Sequence, residues 1–411
     1  MRMSILAIAF TLFSVSIACK NSDSAIDVPS TAKVPQQNVY ATDIITGAEQ
    51  TDLYFPLIKD KYVACVVNQT SMIGNKHLVD SLIGAGIKIA TIFAPEHGFR
   101  GTEDAGATIL NAKDNRTGLP VLSLYGAKKK PTQQDLVDAE VVIFDIQDVG
   151  ARFYTYISSL HYVMEACAEL NIPLIVLDRP NPNGFYVDGP VLQKAYASFI
   201  GMHPIPVVHG MTIGEYAQMI NGEKWLANGV QCKLTVINCK NYDHKKMYAV
   251  PIPPSPNLKS MQSIYLYPTL CFFEGTNVSV GRGTTKPFEI IGTPYIKETG
   301  FTFTPSSGPG AKTPFLQNMK CYGFDYSGLP LDSVSNGAIN LTLLIDMYAR
   351  FEDKSKFFLT NNFFTKLAGS EELMIQLKAG LSADEIRLSW QDDITAFKTV
   401  RKKYLLYPDF E

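Results

Sequence analysis

Three times in the first half of the chain, a short run of β-branched and apolar residues stops abruptly at a charged or amide side chain. The runs are IKIATIFAPEHGFRG (Ile87–Gly101), VVIFDIQDVGARFYTY (Val141–Tyr156) and PLIVLDRPNPNG (Pro173–Gly184). Apolar runs of this length, separated by helical stretches, predict buried parallel strands whose carboxyl ends share one rim of a sheet. Ligands of open α/β sheets sit on that rim. The pattern therefore predicts that Glu96, His97, Asp145, Asp148, Asp178 and Arg179 are neighbours in space.

Strands are predicted at Tyr62–Val67, Ile87–Phe93, Val121–Leu124, Val141–Ile146, Leu174–Leu177 and Leu234–Ile237. With helices between several of them, they imply right-handed βαβ units and a mostly parallel α/β sheet. After Asp148, residues Phe153, Tyr156, Ile157, Leu160, Met164 and Cys167 fall on one helical face, and Asp148 is the candidate N-cap. A second helix opens at Thr212, where Thr212 and Glu215 form a capping box, and stops near Gly222. Glu215 is thus better read as a cap than as a catalyst. PIPPSP (Pro251–Pro256) is a stiff connection, and beyond Cys271 a glycine- and threonine-rich region leads to amphipathic helices at Ala338–Phe351 and Ala383–Val400. Ser382 with Glu385 caps the last of these.

A length of 411 residues exceeds one ordinary core, so two domains are expected. The 37 basic and 39 acidic residues nearly cancel, which argues against nucleic acid or electrostatic membrane adhesion as partner. At the N-terminus, Arg2, the apolar stretch Ile5–Phe13 and the small-residue cluster ending at Cys19 have the layout of a secretory signal. Ending on cysteine, the segment resembles a lipoprotein signal, with a plain signal peptide as the alternative. The expected organisation is a signal at 1–19, a flexible Ser/Thr/Pro-rich tether at 20–48, a catalytic domain at 49–280 and a C-terminal domain at 281–411. The six cysteines after Cys19 contain no C-x-x-C pair, so no structural zinc site is expected, and no disulfide is assigned.

Glu96 is the leading chemical candidate. It follows a buried strand in the stiff turn Ala94–Gly98, and its sequence neighbours Phe93 and Phe99 would desolvate it, favouring the protonated form of an acid catalyst. A salt bridge to Arg100 is the structural alternative. Arg152, four residues after Asp148, would keep Asp148 ionised. A protonated Glu96 beside a charged Asp148 is the split pair that glycoside hydrolysis uses. The loop Asp178–Gly184 either closes on itself through an Asp178–Arg179 pair or offers Arg179 and Asn181 to a sugar or carboxylate. Histidines His97, His203 and His209 lack metal-ligand spacing, Gly281-Arg282-Gly283 lacks the setting of a phosphate loop, and no G-x-S-x-G elbow occurs. No cofactor is expected.

Together, FAPEHGFRG (Phe93–Gly101), FDIQDVGARFYTY (Phe144–Tyr156), LDRPNP (Leu177–Pro182), FEGT (Phe273–Thr276) and GRGT (Gly281–Thr284) resemble the NamZ-type exo-β-N-acetylmuramidases, over a span from about Val63 to Tyr407. The resemblance implies a Rossmann-like domain bearing the site and a smaller C-terminal α+β domain closing the cleft. It also implies release of N-acetylmuramic acid from the non-reducing end of peptidoglycan-derived saccharides. Glu96 falls on the family's favoured catalytic glutamate. Asp148 is taken as its partner, with Glu103, Asp145 and Glu274 in reserve. The substrate's own N-acetyl group is a candidate nucleophile, oriented by Asp148. The lactyl carboxylate of the sugar calls for a fixed guanidinium, for which Arg152, Arg179 and Arg282 are candidates. His97, Tyr154, Asp178, Asn181 and Glu274 complete the expected substrate contacts, and the GRGTTKPFEIIGTPY loop is a candidate wall for an exo-acting cleft. The expected location is exported, in the periplasm or on the outer membrane through a lipid on Cys19. A non-catalytic glycan-binding lipoprotein and a metal-dependent hydrolase are the alternatives.

Overall fold

The apolar runs form strands because both faces of the sheet are covered. In β1 (Tyr62–Val67), Ala64 and Val66 enter one core while Val63, Cys65 and Val67 enter the other. The same division repeats along β4 (Val141–Asp145) and β5 (Leu174–Leu177), which is why these runs show no polar alternation. With β2 (Lys88–Ala94), β3 (Pro120–Ser123) and β6 (Leu234–Ile237), they make a parallel sheet ordered β3-β2-β1-β4-β5-β6. A two-residue segment, Ala112–Lys113, adds antiparallel to the free edge of β3. This order reverses between β1 and β4, and the crevice outside the carboxyl ends at that switch point is where such sheets bind ligands. The computed structural model describes residues 40–96, 98–99 and 112–411. The segment ending at Cys19, the tether as far as Val39, and His97, Arg100 and Glu103 lie outside them.

Helices α1 (Thr51–Ile58) and α2 (Leu78–Gly84) cover one face of the sheet, and α3 (Tyr156–Leu170) and α4 (Ile213–Gly222) cover the other. Helix α5 (Met261–Leu270) leads to an antiparallel sheet, β7 (Ile290–Thr293), β8 (Thr302–Phe303) and β9 (Cys321–Asp325), ordered β7-β9-β8. Six helices follow: α6 (Leu331–Val334), α7 (Leu341–Arg350), α8 (Phe363–Ala368), α9 (Glu372–Ala379), α10 (Ala383–Ser389) and α11 (Gln391–Arg401). The apolar core beside α3 continues without a break into these helices, and Tyr40–Glu411 packs as one compact unit. Among the described residues no helix is long and apolar enough to cross a membrane.

Three local expectations are corrected. Asp148 does not cap α3: its Oδ1 accepts the Gly150 amide at 2.7 Å, Thr155 occupies the N-cap, and Phe153 precedes the helix. The long helix expected at Ala383–Val400 is two helices that break at Trp390 (φ −107, ψ 3), although the Ser382–Glu385 capping box forms as expected. The tether ends sooner than residue 48. Ile45 pairs with Lys240, Ala48 is fully buried, and the Gly47 amide donates to the Asp178 carbonyl at 2.8 Å. Short, weakly apolar segments dock in this way when backbone pairing, rather than side-chain periodicity, supplies the contact.

The C-terminal tail returns to the sheet domain. Tyr407 donates its hydroxyl to Asp178 Oδ2 at 2.6 Å, the Leu406 amide donates to Glu215 Oε1 at 2.9 Å, and fully buried Arg401 donates to the Gly210 carbonyl. Glu215 thus serves its helix cap through Oε2 and the tail through Oε1.

A Cβ at Gly47 would lie 2.2 Å from the Ile237 carbonyl oxygen and 2.6 Å from the Asp178 amide nitrogen, both rigid backbone. Gly47→Ala should therefore cost about 1–3 kcal/mol, seen as a lower Tm in thermal melts. An unchanged Tm would mean that residues 40–48 do not hold this packing in solution.

Candidate active site

Glu96 leaves the end of β2 through Pro95, in a turn closed by the Gly98 amide on the Pro95 carbonyl at 3.1 Å. Its sequence neighbours do not enclose it: Phe93 sinks into one core and Phe99 into the other, edge-on to His77. Polar groups surround it instead. Thr155, whose hydroxyl makes no cap bond to its own helix, donates to Glu96 Oε2 at 2.9 Å. The Tyr125 hydroxyl, just beyond β3, lies beside this carboxylate, and burial together with the Glu96 charge raises the Tyr125 pKa. Glu96 therefore sits half-buried at the N-terminus of α3, held by the Thr155 hydroxyl with the Tyr125 hydroxyl beside it.

Behind this turn lie two tyrosines. Tyr154 donates to the Pro254 carbonyl at 2.8 Å, while Tyr156 lies 3.2 Å from that same oxygen and 3.5 Å from the Glu96 carbonyl. Tyr154, expected to stack on sugar, is buried edge-on between Tyr156 and Tyr267, so its ring faces are spent on protein. At the end of β1, Asn68 Oδ1 accepts the Thr70 amide at 2.9 Å and its hydroxyl at 2.6 Å. Its Nδ2 lies near Tyr156 but has no formed hydrogen bond among the described residues.

Asp148 lies deeper. Burial pushes its pKa up to about 7, against the opposing pull of the Gly150 and Val149 amides, and its Oδ2 has no partner among the described residues. Its charge is felt at Tyr154, Tyr156 and Tyr216. The expectation that Arg152 holds Asp148 ionised is corrected. Arg152 is fully buried and donates to the carbonyls of Pro190, Ile205 and Leu367, each within 2.8 Å, fastening loops of the sheet domain to α8. It is therefore no ligand for a substrate carboxylate.

The Asp178–Arg179 loop is corrected in the same sense. Arg179 bonds Asp145 through Nε at 2.6 Å and Nη2 at 3.0 Å, and also reaches the Met72 carbonyl. Asp178 turns to α4, accepting from Thr212 Oγ1 at 2.7 Å and the Gly214 amide at 2.8 Å. Asn181 donates to the Met211 carbonyl and accepts the Asn183 amide. All three are buried and fasten the fold.

Arg282 is different. Its Nε donates to Glu274 Oε1 at 2.6 Å, its guanidinium lies 4.9 Å from the centre of the Phe288 ring, and its Nη1 has no bond among the described residues. Burial works against its charge, but Glu274 more than offsets this and raises its pKa. Arg282 and Glu274 line a hollow of about 250 Å³ with Gly310–Phe315, and the Arg282 charge is felt at Tyr125. Glu96, Tyr125, Thr155, Tyr156 and Asn68 thus form one cluster, and the charges of Asp148 and Arg282 are felt at its tyrosines. Sequence reasoning missed Tyr125, Thr155 and Asn68. Only Asn68 carried a signal, since YVACVV also ends abruptly at an amide.

The N-terminal model of the exo-β-N-acetylmuramidase NamZ family matches residues 63–262, and its C-terminal model matches residues 265–407. The chain belongs to that family of exo-acting glycosidases. It is 40% identical to the peptidoglycan β-N-acetylmuramidase NamZ of Bacillus subtilis (strain 168), over 86% of this chain and 89% of the relative. Two solved DUF1343 family proteins of Bacteroides fragilis NCTC 9343 share its fold. One has a TM-score of 0.84 and 49% identity, covering 90% of this chain and 100% of the other, and the second has 0.76 and 29%, covering 89% and 99%.

The buried Asp148 yields a stability test. Its folded pKa of about 7 exceeds the unfolded value of about 3.9, so the folded state holds the extra proton between these limits and its stability falls as pH rises through that window. Asp148→Asn keeps an acceptor for the Gly150 amide without the ionisation. Its stability relative to the parent should rise by about 1.4 kcal/mol per pH unit between roughly pH 5 and 7, measured by denaturant melts. A difference independent of pH would show Asp148 ionised throughout.

Proposed function

We propose that this chain releases N-acetylmuramic acid from the non-reducing end of peptidoglycan fragments, with Glu96 as the general acid. The observation that carries the reading is the Glu96 carboxylate, held by Thr155 at the rim of the parallel sheet beside Tyr125, where the Arg282 charge is also felt. Family membership supports the reaction class. In the proposed step the Glu96 proton passes to the glycosidic oxygen as the bond to the anomeric carbon breaks, through an oxocarbenium-like transition state. The Thr155 hydroxyl fixes the direction of the carboxyl, so little reorganisation accompanies transfer. Asp148, buried under Tyr156, acts on this arrangement through the tyrosines rather than on the sugar.

The lactyl carboxylate distinguishes N-acetylmuramic acid from N-acetylglucosamine, and a guanidinium in the wall of a hollow is a fitting receptor for it. Glu274 holds Arg282 through Nε, which orients the guanidinium in the wall of that hollow. The reading extends to location: the segment ending at Cys19 directs the enzyme to the cell envelope, with lipid on Cys19 as its anchor. A Cys19→Ser variant that remains in the membrane fraction would contradict that anchor.

Glu96→Gln should lower kcat on a chromogenic N-acetylmuramide on the order of a thousandfold, with an unchanged melting curve. Arg282→Ala should raise KM for the muramide on the order of tenfold or more, through loss of a charge-assisted bond. The parent should not release the matching N-acetylglucosaminide. Near-normal turnover by Glu96→Gln removes Glu96 from its role, and equal release of both sugars by the parent removes the argument from Arg282.

A further inference from the structure

Leading away from Glu96 is a row of aromatic side chains that the proton-transfer step does not use. It starts at Tyr125, whose hydroxyl lies beside Glu96 and whose ring centre lies 6.3 Å from that of Phe199. Phe199 in turn lies parallel to Tyr162, at 6.3 Å and 19°. All three are only partly buried. Lys129, also part-exposed, sets its ammonium 5.0 Å from the centre of the Phe199 ring.

The position of Phe199 is informative. It stands with Ile200 at the tip of a two-residue turn closed by reciprocal bonds between Ser198 and Gly201, at 2.8 and 3.0 Å. Turn tips ordinarily carry small or polar residues, and an aromatic ring presented there gains little for folding. The turn is nonetheless firmly backed, because a Cβ on Gly201 would already touch the Arg152 side chain at 3.5 Å. Helix α3 supplies the remaining spacing. Thr155, which holds Glu96, and Tyr162 are seven residues apart, hence on one helical face and roughly 10 Å apart along the axis.

We propose, building on the glycosidase reading, that Tyr125, Phe199 and Tyr162 form the leaving-group subsite, a platform for the amino-sugar rings on the reducing side of the bond that is cut. A pyranose ring with equatorial substituents has an apolar face of axial C–H bonds and a polar edge. The aromatic row matches the face, and Lys129 matches the edge as a donor to hydroxyl or carbonyl oxygens. The Arg282 hollow takes the sugar that is released, and the row takes the chain that departs.

The test compares two substrates on the full-length enzyme: a chromogenic N-acetylmuramide with a small planar leaving group, and a muramyl-glucosaminyl disaccharide or longer fragment. Phe199→Ala should lower the ratio of kcat/KM for the saccharide to that for the chromogenic compound roughly three- to tenfold, mainly through KM, and Phe199→Trp should restore it. Tyr162→Ala should move the ratio in the same direction and serves as the check if Phe199→Ala folds poorly. A ratio unchanged in both variants, or one that Phe199→Trp fails to restore, overturns the platform. Absence of release from either substrate by the unaltered enzyme overturns the glycosidase reading itself, a result distinct from the first.

Discussion

A buried ion pair, Arg179 with Asp145, holds the rim on which the site is built. Asp145 ends β4 fully buried, and Arg179, just beyond the end of β5, gives it two hydrogen bonds and a third to the Met72 carbonyl beyond β1. Ser71 adds a hydroxyl to the Asp145 carbonyl, and Thr70 accepts the Gln147 amide at 2.9 Å. The carboxyl ends of β1, β4 and β5 are thereby tied to one another at the switch point of the sheet. Either partner removed alone would strand a buried charge, at a cost of about 3–5 kcal/mol. This explains why two of the most prominent charges in the sequence are withdrawn from ligand binding.

With those charges spent on the fold, chemistry falls to Glu96 and Arg282. Thr155 donates to Glu96, and Arg282 donates to Glu274 in the wall of a hollow. Asp148 occupies the opposite extreme, a carboxyl so enclosed that burial raises its pKa to about 7. The two carboxyls thus differ in exposure: Glu96 is half-buried, whereas Asp148 is buried and its charge is felt at Tyr154, Tyr156 and Tyr216. The C-terminal tail completes the arrangement, since Tyr407 on Asp178 and Arg401 on Gly210 lock the loop after β5 and the start of α4 against the last helices.

Much of the fold was legible because two-sided burial leaves an unmistakable mark. The apolar runs at Tyr62–Val67, Leu174–Leu177 and Leu234–Ile237 match their strands end to end, and the Thr212–Glu215 and Ser382–Glu385 capping boxes both form. The rim was legible too, but the duties of its side chains were not. Whether an arginine at a strand end faces a ligand or a neighbouring strand depends on which carboxylate the sheet order brings beside it. Arg179 found Asp145 rather than its sequence neighbour Asp178, and Arg152 found three carbonyls. Tyr125 and Thr155 escaped notice for the converse reason. A hydroxyl amid aromatic residues has no periodicity or motif that marks it, and its role arises only when β2, β3 and α3 converge.

The most direct test of the central claim is the structure of the Glu96→Gln variant bound to a muramyl-glucosaminyl disaccharide. The account predicts the side-chain amide at position 96 within about 2.6–3.2 Å of the glycosidic oxygen, still held by Thr155, with the lactyl carboxylate on Arg282. A disaccharide bound with its glycosidic oxygen away from position 96, beside a different carboxyl, would contradict it.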